Sequence, residues 1–317
     1  MQRWAALLAR RLLQLLVLSL VVGLLSFLMM RALPGDMAMR IAAGRYGYDL
    51  VGAAAAASVR AELGLDLPIW QALATWCADL LRLRLGDSLV SGEPVWHELS
   101  QHLGATLQLT GAALLMAVLL GLPMGLISAL RPQGWLARAI TVLAVALRAT
   151  PPFMIALALI LLAAVKLGML PVAGTHERGA WLLPALSLAL PLAAGLAQVF
   201  ATALREALAL PSQEFARLKG LSDAQAVRLH ALRHTAPPML AYIGMQAVLL
   251  SEGAVVVEAL FAWPGIGHAL VHGVFGRDVP VIQGAALTMG AMFIAFNLLI
   301  DALSLWLDPR LRAGGRA

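Results

Sequence analysis

Six stretches of about twenty or more largely apolar residues, near 12–30, 105–130, 139–165, 181–203, 239–260 and 282–307, dominate the sequence, and each matches the length a helix needs to cross a bilayer. A bilayer interior offers no water to backbone N–H and C=O groups, so the chain is expected to be all-α, a polytopic membrane protein with six transmembrane helices. Composition agrees: 61% of the 317 residues are hydrophobic and 13% are charged, outside the usual globular range. Arg3, Arg10 and Arg11 precede the first run, which is too long for a signal h-region. Residues 31–36 offer no small-x-small cleavage site, so an uncleaved first helix is expected.

The net charge of +6 does not form a nucleic-acid patch, because the basic residues follow the topology. Lys and Arg outnumber Asp and Glu at both termini, in the loop at 131–138 and in the loop at 204–238, but not in the other three loops taken together. The positive-inside rule therefore makes both termini and the 204–238 loop cytoplasmic. No G-x-x-x-x-G-K-[ST] occurs, and Lys166 and Lys219 are the only lysines, so any ATPase that drives this chain is another polypeptide. Neither H-E-x-x-H nor G-x-S-x-G is present, and the single Cys77 excludes an intramolecular disulfide.

The 204–238 loop is polar where its flanks are apolar. Ser212 stands before a short helix at 214–219, with acidic Glu214 early and Lys219 late, as the helix dipole favours. Gly220 ends that helix, Ser222 or Asp223 caps a second one over 224–235, and Pro237 and Pro238 open the next span as first-turn prolines. The expected result is helix, glycine turn, helix, parallel to the membrane surface.

Glu214, Ala216 and Gly220 at this spacing resemble the E-A-A-x3-G signature of the membrane subunits of binding-protein-dependent ABC importers. Phe215 in place of the first alanine, His230, and the late Pro237 resemble the oligopeptide, dipeptide and nickel branch. So do LPGD at 33–36, LGLD at 63–66, LGDS at 85–88, Trp263-Pro264-Gly265-Ile266-Gly267, RDVPVIQ at 277–283 and the closing LDPR at 307–310. The resemblance covers nearly the whole chain. It implies a type I importer permease in a bacterial inner membrane, paired with a second, homologous permease, two cytoplasmic ABC ATPases and a periplasmic binding protein. This chain would bind no cofactor, ATP and Mg being used by the partner ATPases. Glu214, Phe215, Ala216, Arg217, Lys219, Gly220 and Asp223 would dock on the ATPase. Trp263, Pro264, Gly265, Gly267, Arg277 and Asp278 would meet the binding protein together with an extracytoplasmic domain at 31–104. That domain would lie between a first part, 1–30, and a five-helix core, 105–317.

Polar residues within the spans are candidates for a translocation pathway: Arg148 beside the helix-breaking pair Pro151-Pro152, Gln246, Glu252 and Asp301. Arg148 either snorkels or lines the path, and Glu252 either lines it or packs through a hydrogen bond. Glu258 is expected to be solvated near the outer interface. The same Glu252 and Asp301 would serve a proton-coupled secondary transporter, the reading from a different class. His268 and His272, at i and i+4, have the spacing of a metal pair without a third ligand. Short peptides and nickel or other metal chelates remain equal as substrates.

Overall fold

The computed structural model describes residues 2–32, 35–46, 52–62, 68, 70–71, 74, 78, 82, 84–174, 177 and 179–307. Leu33 and Pro34, the LGLD at 63–66, Trp76, Cys77, His176 and the closing DPR at 308–310 lie outside the described residues. So do the side chains of Arg217, Asp223, His230 and Glu252. The helices are α1 (Gln2–Ala32), α2 (Met37–Tyr46), α3 (Ala53–Glu62), α4 (Val95–Leu130), α5 (Trp135–Ala149), α6 (Pro152–Leu159), α7 (Leu182–Leu208), α8 (Pro211–Leu218), α9 (Asp223–Ala226), α10 (Leu232–Leu260), α11 (Ile266–Gly276) and α12 (Val279–Leu307). Widened π turns follow α6, at Ile160–Lys166, and join α9 to α10, at Val227–Ala231. No strand occurs among the described residues. Three helices, Val95–Leu130, Leu182–Leu208 and Val279–Leu303, are long and apolar enough to cross a membrane, or up to five spans if each bent pair counts as one.

The chain divides into two compact units, Met1–Thr106 with Pro264–Ile294 and Leu107–Trp263 with Ala295–Ala317. In the first, α2 and α3 pair through Ala38, Ile41, Ala42, Ala56 and Val59. Asp36 holds both helices: its carboxylate accepts the Ala38 N–H at 3.0 Å and an Arg60 N–H at 2.6 Å. The guanidinium of Arg60 holds the Asp36 carboxyl below its ordinary range. A second core joins the start of α4 to α11 and α12 through Val95, Leu99, Ile266, Ala269, Val281 and Ala285.

The second unit is built on α7. Two-thirds of its span (67%) is enclosed, against 28% for α4 and 11% for α12. Gly121 and Gly125 of α4 lie against it: a Cβ would stand 2.8 Å from the Ala193 carbonyl oxygen at the first position, and 2.7 Å from that of Ala197 at the second. This G-x-x-x-G on A-x-x-x-A contact is the small-residue packing that brings helix backbones together in lipid. On α7 again, Gly195 leaves room for the Tyr242 hydroxyl of α10, which a methyl group there would overlap.

Several boundaries differ from expectation. The helix expected at 105–130 begins ten residues earlier, at Val95, inside the segment read as a separate outer domain. Pro191 does not interrupt α7, and Pro184 falls in its first turn, where no helical N–H is lost. Pro151 and Pro152 do break their helix: Thr150 and Pro151 are extended, Pro152 opens α6, and α5 and the α6 segment meet at 107°. Glu258 is fully buried rather than solvated, and its backbone carbonyl accepts the Trp263 N–H at 2.8 Å where α10 ends.

Gly125→Val should lower the unfolding midpoint in detergent by an amount worth about 1–3 kcal/mol, since the side chain must displace the α7 backbone. Gly111→Ala on the same helix faces open space. It should leave that midpoint unchanged or slightly raised, as fluorescence-detected thermal unfolding can measure.

Candidate functional site

The segment after α7 forms a compact helix–turn–helix. α8 starts at Pro211, whose missing N–H costs nothing at that position, so Ser212 lies inside the helix and is not its cap. Gly220, at φ +86°, ends it, and the Leu221 N–H reaches back to the Ala216 carbonyl at 3.2 Å, the long bond of a Schellman cap. Ser222 then caps α9 reciprocally. The Gln225 N–H donates to Ser222 Oγ at 3.4 Å, and the Ser222 N–H donates to Gln225 Oε1 at 3.0 Å, forming a capping box.

The second helix does not stop before the membrane. α9, the π turn and α10 run on without a break, so Pro237 and Pro238 lie within α10 instead of opening it. A widened π turn, Val227–Ala231, lies upstream of them.

One face of this segment is buried and the other is bare. Gln213 and Ala216 are each 3% exposed, and Ala231 joins Phe200, Leu204 and Ala207 of α7 and Ala129 of α4 in one core. Phe215 and Leu218, by contrast, are 59% and 81% exposed, with Leu229 also outward and Lys219 Nζ 4.6 Å above the Phe215 ring. Glu214, Phe215 and Lys219 thus lie on the open face, while Ala216 is a packing residue and Gly220 a backbone requirement. The open apolar Leu218 was not among the residues singled out in the sequence, although it is one helical turn from Phe215.

A second feature of this unit is a cavity of about 370 Å³ among α5, α6, α7 and α10. Arg148 and Gln246 line it, with Pro152 beside Pro151. Asp301 does not line it. Arg148 donates to Gln198 Oε1 at 2.8 Å, and Gln246 donates to the Tyr242 hydroxyl at 2.9 Å. Leu188, Leu192, Met245 and Leu249 supply apolar walls. Tyr242 was not anticipated, although its spacing of four from Gln246 puts both on one helix face.

The residues expected to meet a binding protein are turned inward. Trp263, Arg277 and Asp278 are 5%, 7% and 3% exposed, Gly265 and Gly267 are buried, and Pro264 is half-buried. Arg277, in the left-handed region at φ 54°, ends α11 and donates to the Gly35 carbonyl. The Asp278 carboxylate accepts from Ser88 Oγ at 2.5 Å and from the Leu89 and Val90 N–H groups at 3.1 and 3.2 Å. It also accepts the Val281 N–H at the start of α12. These residues are therefore fastenings and offer little contact surface. His268 and His272 meet edge to face, with ring centroids 4.3 Å apart, and His102 Nδ1 bonds the Pro264 carbonyl. Burial first, then His272 and His102, holds the His268 imidazole below its ordinary range. Among the described residues no three His, Cys, Asp or Glu side chains converge on a metal position.

The family described as binding-protein-dependent transport system inner membrane component matches residues 121–313. The chain is 36% identical over 303 residues to the glutathione transport system permease protein GsiC of Pectobacterium atrosepticum, covering 96% of this chain and 97% of that protein. It is 34% identical over 315 residues to a Brucella abortus protein named as a peptide transport system permease, covering 97% and 99%. Among solved structures it is similar to the inward-facing MetNI methionine ABC transporter, with a TM-score of 0.58 at 19% identity, over 68% of this chain and 99% of that one. At that identity only the fold is shared.

Asp278→Ala should cost about 1–3 kcal/mol, because it strips a buried acceptor from several donors at once, and Ser88→Ala about 1 kcal/mol. Thermal unfolding of the purified chain in detergent at neutral pH checks both, and the ranking Asp278 above Ser88 is the informative outcome.

Proposed function

The chain belongs to the family of binding-protein-dependent transport system inner membrane components, and from that premise we propose that it is the permease through which short peptides, glutathione among them, enter a bacterial cell on an ATP-driven importer. It is an inner-membrane protein of the peptide permease group. The names of the relatives reported above, glutathione and peptide transport permeases, favour peptides. The helix–turn–helix after α7 carries the proposal. Its open face, Phe215, Leu218 and Leu229 with Glu214 and Lys219, offers an apolar centre with a charged rim to a partner, while its back is packed onto α7.

In this reading α1, α4, the bent α5–α6, α7, α10 and α12 are the six spans, with both termini and the segment after α7 cytoplasmic. A sister permease, two ATPases and a binding protein complete the importer, ATP and Mg being handled by the ATPases alone. The outer part at 31–104 would face the binding protein. The exposed Val274 and Phe275 of α11 are better suited to that contact than the inward Trp263, Arg277 and Asp278. The Arg148 cavity would lie on the substrate path. A proton-coupled transporter relying on Glu252 and Asp301 is disfavoured by family membership.

Two outcomes test this. Gly220→Pro cannot adopt φ +86° and should leave the chain inserted while abolishing co-purification of a P-loop ATPase and uptake of a labelled dipeptide. Normal uptake by that variant would refute the docking role. Arg148→Ala should keep the ATPase bound yet lower uptake about tenfold, the size of a lost charge-assisted hydrogen bond. Loss of ATPase binding instead would place Arg148 in assembly and not in the path.

A further inference from the structure

At the end of the second unit nearest the helix–turn–helix, a separate cavity of about 330 Å³ opens between α4, α5 and α7. Its polar lining is Ser128, Thr141, Gln198, Thr202 and Arg205; its apolar lining includes Ala137, Ile140, Ala144 and Ala201. The Ser128 and Thr141 hydroxyls donate back to the Met124 and Ala137 carbonyls of their own helices, at 2.9 and 2.8 Å. The Gln198 amide oxygen already accepts from Arg148. The charge left for an incoming ligand is cationic, beside the neutral Gln198 amide nitrogen. Arg205 Nε donates to the Ala201 carbonyl at 3.2 Å and Nη2 makes a long contact to Thr202 Oγ1 at 3.5 Å, and among the described residues no carboxylate pairs with this guanidinium.

The position along the helices narrows the ligand. Thr202 and Arg205 lie in the last turns of α7, and Ser128 in the last turn of α4. Trp135, at the first residue of α5, is 76% exposed between the exposed Arg131 and Arg138, which is the aromatic and basic signature of a membrane–water boundary. The cavity therefore opens at headgroup depth, and its wall of Ala137, Ile140, Ala144 and Ala201 continues toward the apolar interior. A ligand that suits both parts carries a phosphate anion above and a hydrocarbon chain below. Its volume lies at the lower end of the roughly 300–1,000 Å³ typical of ligand sites, enough for one headgroup.

We propose that this cavity binds the phosphate of an anionic phospholipid, with Arg205 as its principal contact and Ile140 and Ala144 against the upper acyl chain. A headgroup that adds an ammonium would meet repulsion from Arg131, Arg138 and Arg205, so phosphatidylglycerol chemistry is selected over phosphatidylcholine.

The test is native mass spectrometry of the full chain released from micelles containing equal amounts of the two lipids. The unaltered chain should retain phosphatidylglycerol over phosphatidylcholine by about tenfold. Arg205→Gln should bring the two to parity, and so should Ile140→Trp, which fills the cavity and changes no charge. Arg10→Gln, an equal loss of charge on α1, should keep the preference. Equal retention of the lipids by the unaltered chain overturns the proposal. So does a loss shared by Arg10→Gln, which would report bulk charge, or a preference that survives Ile140→Trp, which would report surface attraction. Displacement of the lipid by millimolar inorganic phosphate would identify a soluble phosphate as the ligand and equally overturn the lipid.

Discussion

The backbone contact of α4 on α7 is the constraint on which the second unit depends. Inside a bilayer, leucine gains nothing by leaving lipid for protein, so helices must be held by close packing and hydrogen bonds. Gly121 and Gly125 against Ala193 and Ala197 supply the first. The α10 side of α7 repeats the device with Gly195 beneath Tyr242, and α10 in turn leaves room at Gly244 for Ile300 of α12. A helix so tightly engaged on two sides has little freedom to slide, and both cavities and the helix–turn–helix are built on it.

That rigidity bears on how movement could pass along the chain. The helix–turn–helix is closed locally by a Schellman cap and a capping box, so it behaves as one body. It is joined to α10 by an unbroken helical path and to α7 by the core around Leu204 and Ala231. A push on Phe215 and Leu218 would therefore be felt by two spans at once. Those spans also carry Tyr242, Gln246 and Gln198, the groups that surround or hold Arg148. The mechanics and the polar cavity share the same two helices, which is the arrangement rigid-body transmission requires.

Much of this was legible because it is local. The apolar runs, the glycine turn at Gly220 and the helix break at Pro151-Pro152 follow from neighbouring residues and their backbone preferences. The G-x-x-x-G at 121–125 was equally local and was overlooked inside a long apolar run. What the sequence hid depends on how segments pack, even where they are near in the chain. Pro237 and Pro238 read as a helix start, yet the helix passes through them. Glu258 read as solvated because its place near the end of an apolar run does not show that the fold buries it. Ser212 read as a cap because its type suits one, whereas Pro211 had already taken the first helical position.

The R-D motif shows the same limit and its resolution. Read by type, Arg277 and Asp278 look like surface charges beside a membrane. In the fold they join three stretches that looked like loosely related landmarks: Gly35 in the first, Ser88 to Val90 in the second, and the start of α12 in the third. The buried carboxylate accepts from a hydroxyl, two loop N–H groups and the N-terminus of a helix, whose dipole favours a negative charge there. Such an anion needs no cation of its own, and each donor it satisfies would otherwise be an unpaired buried group. Order along the chain was the only trace these contacts left in the sequence. A carboxylate that must serve three separated segments constrains all of them together, which is why fragments too short to mean much singly point to one structure.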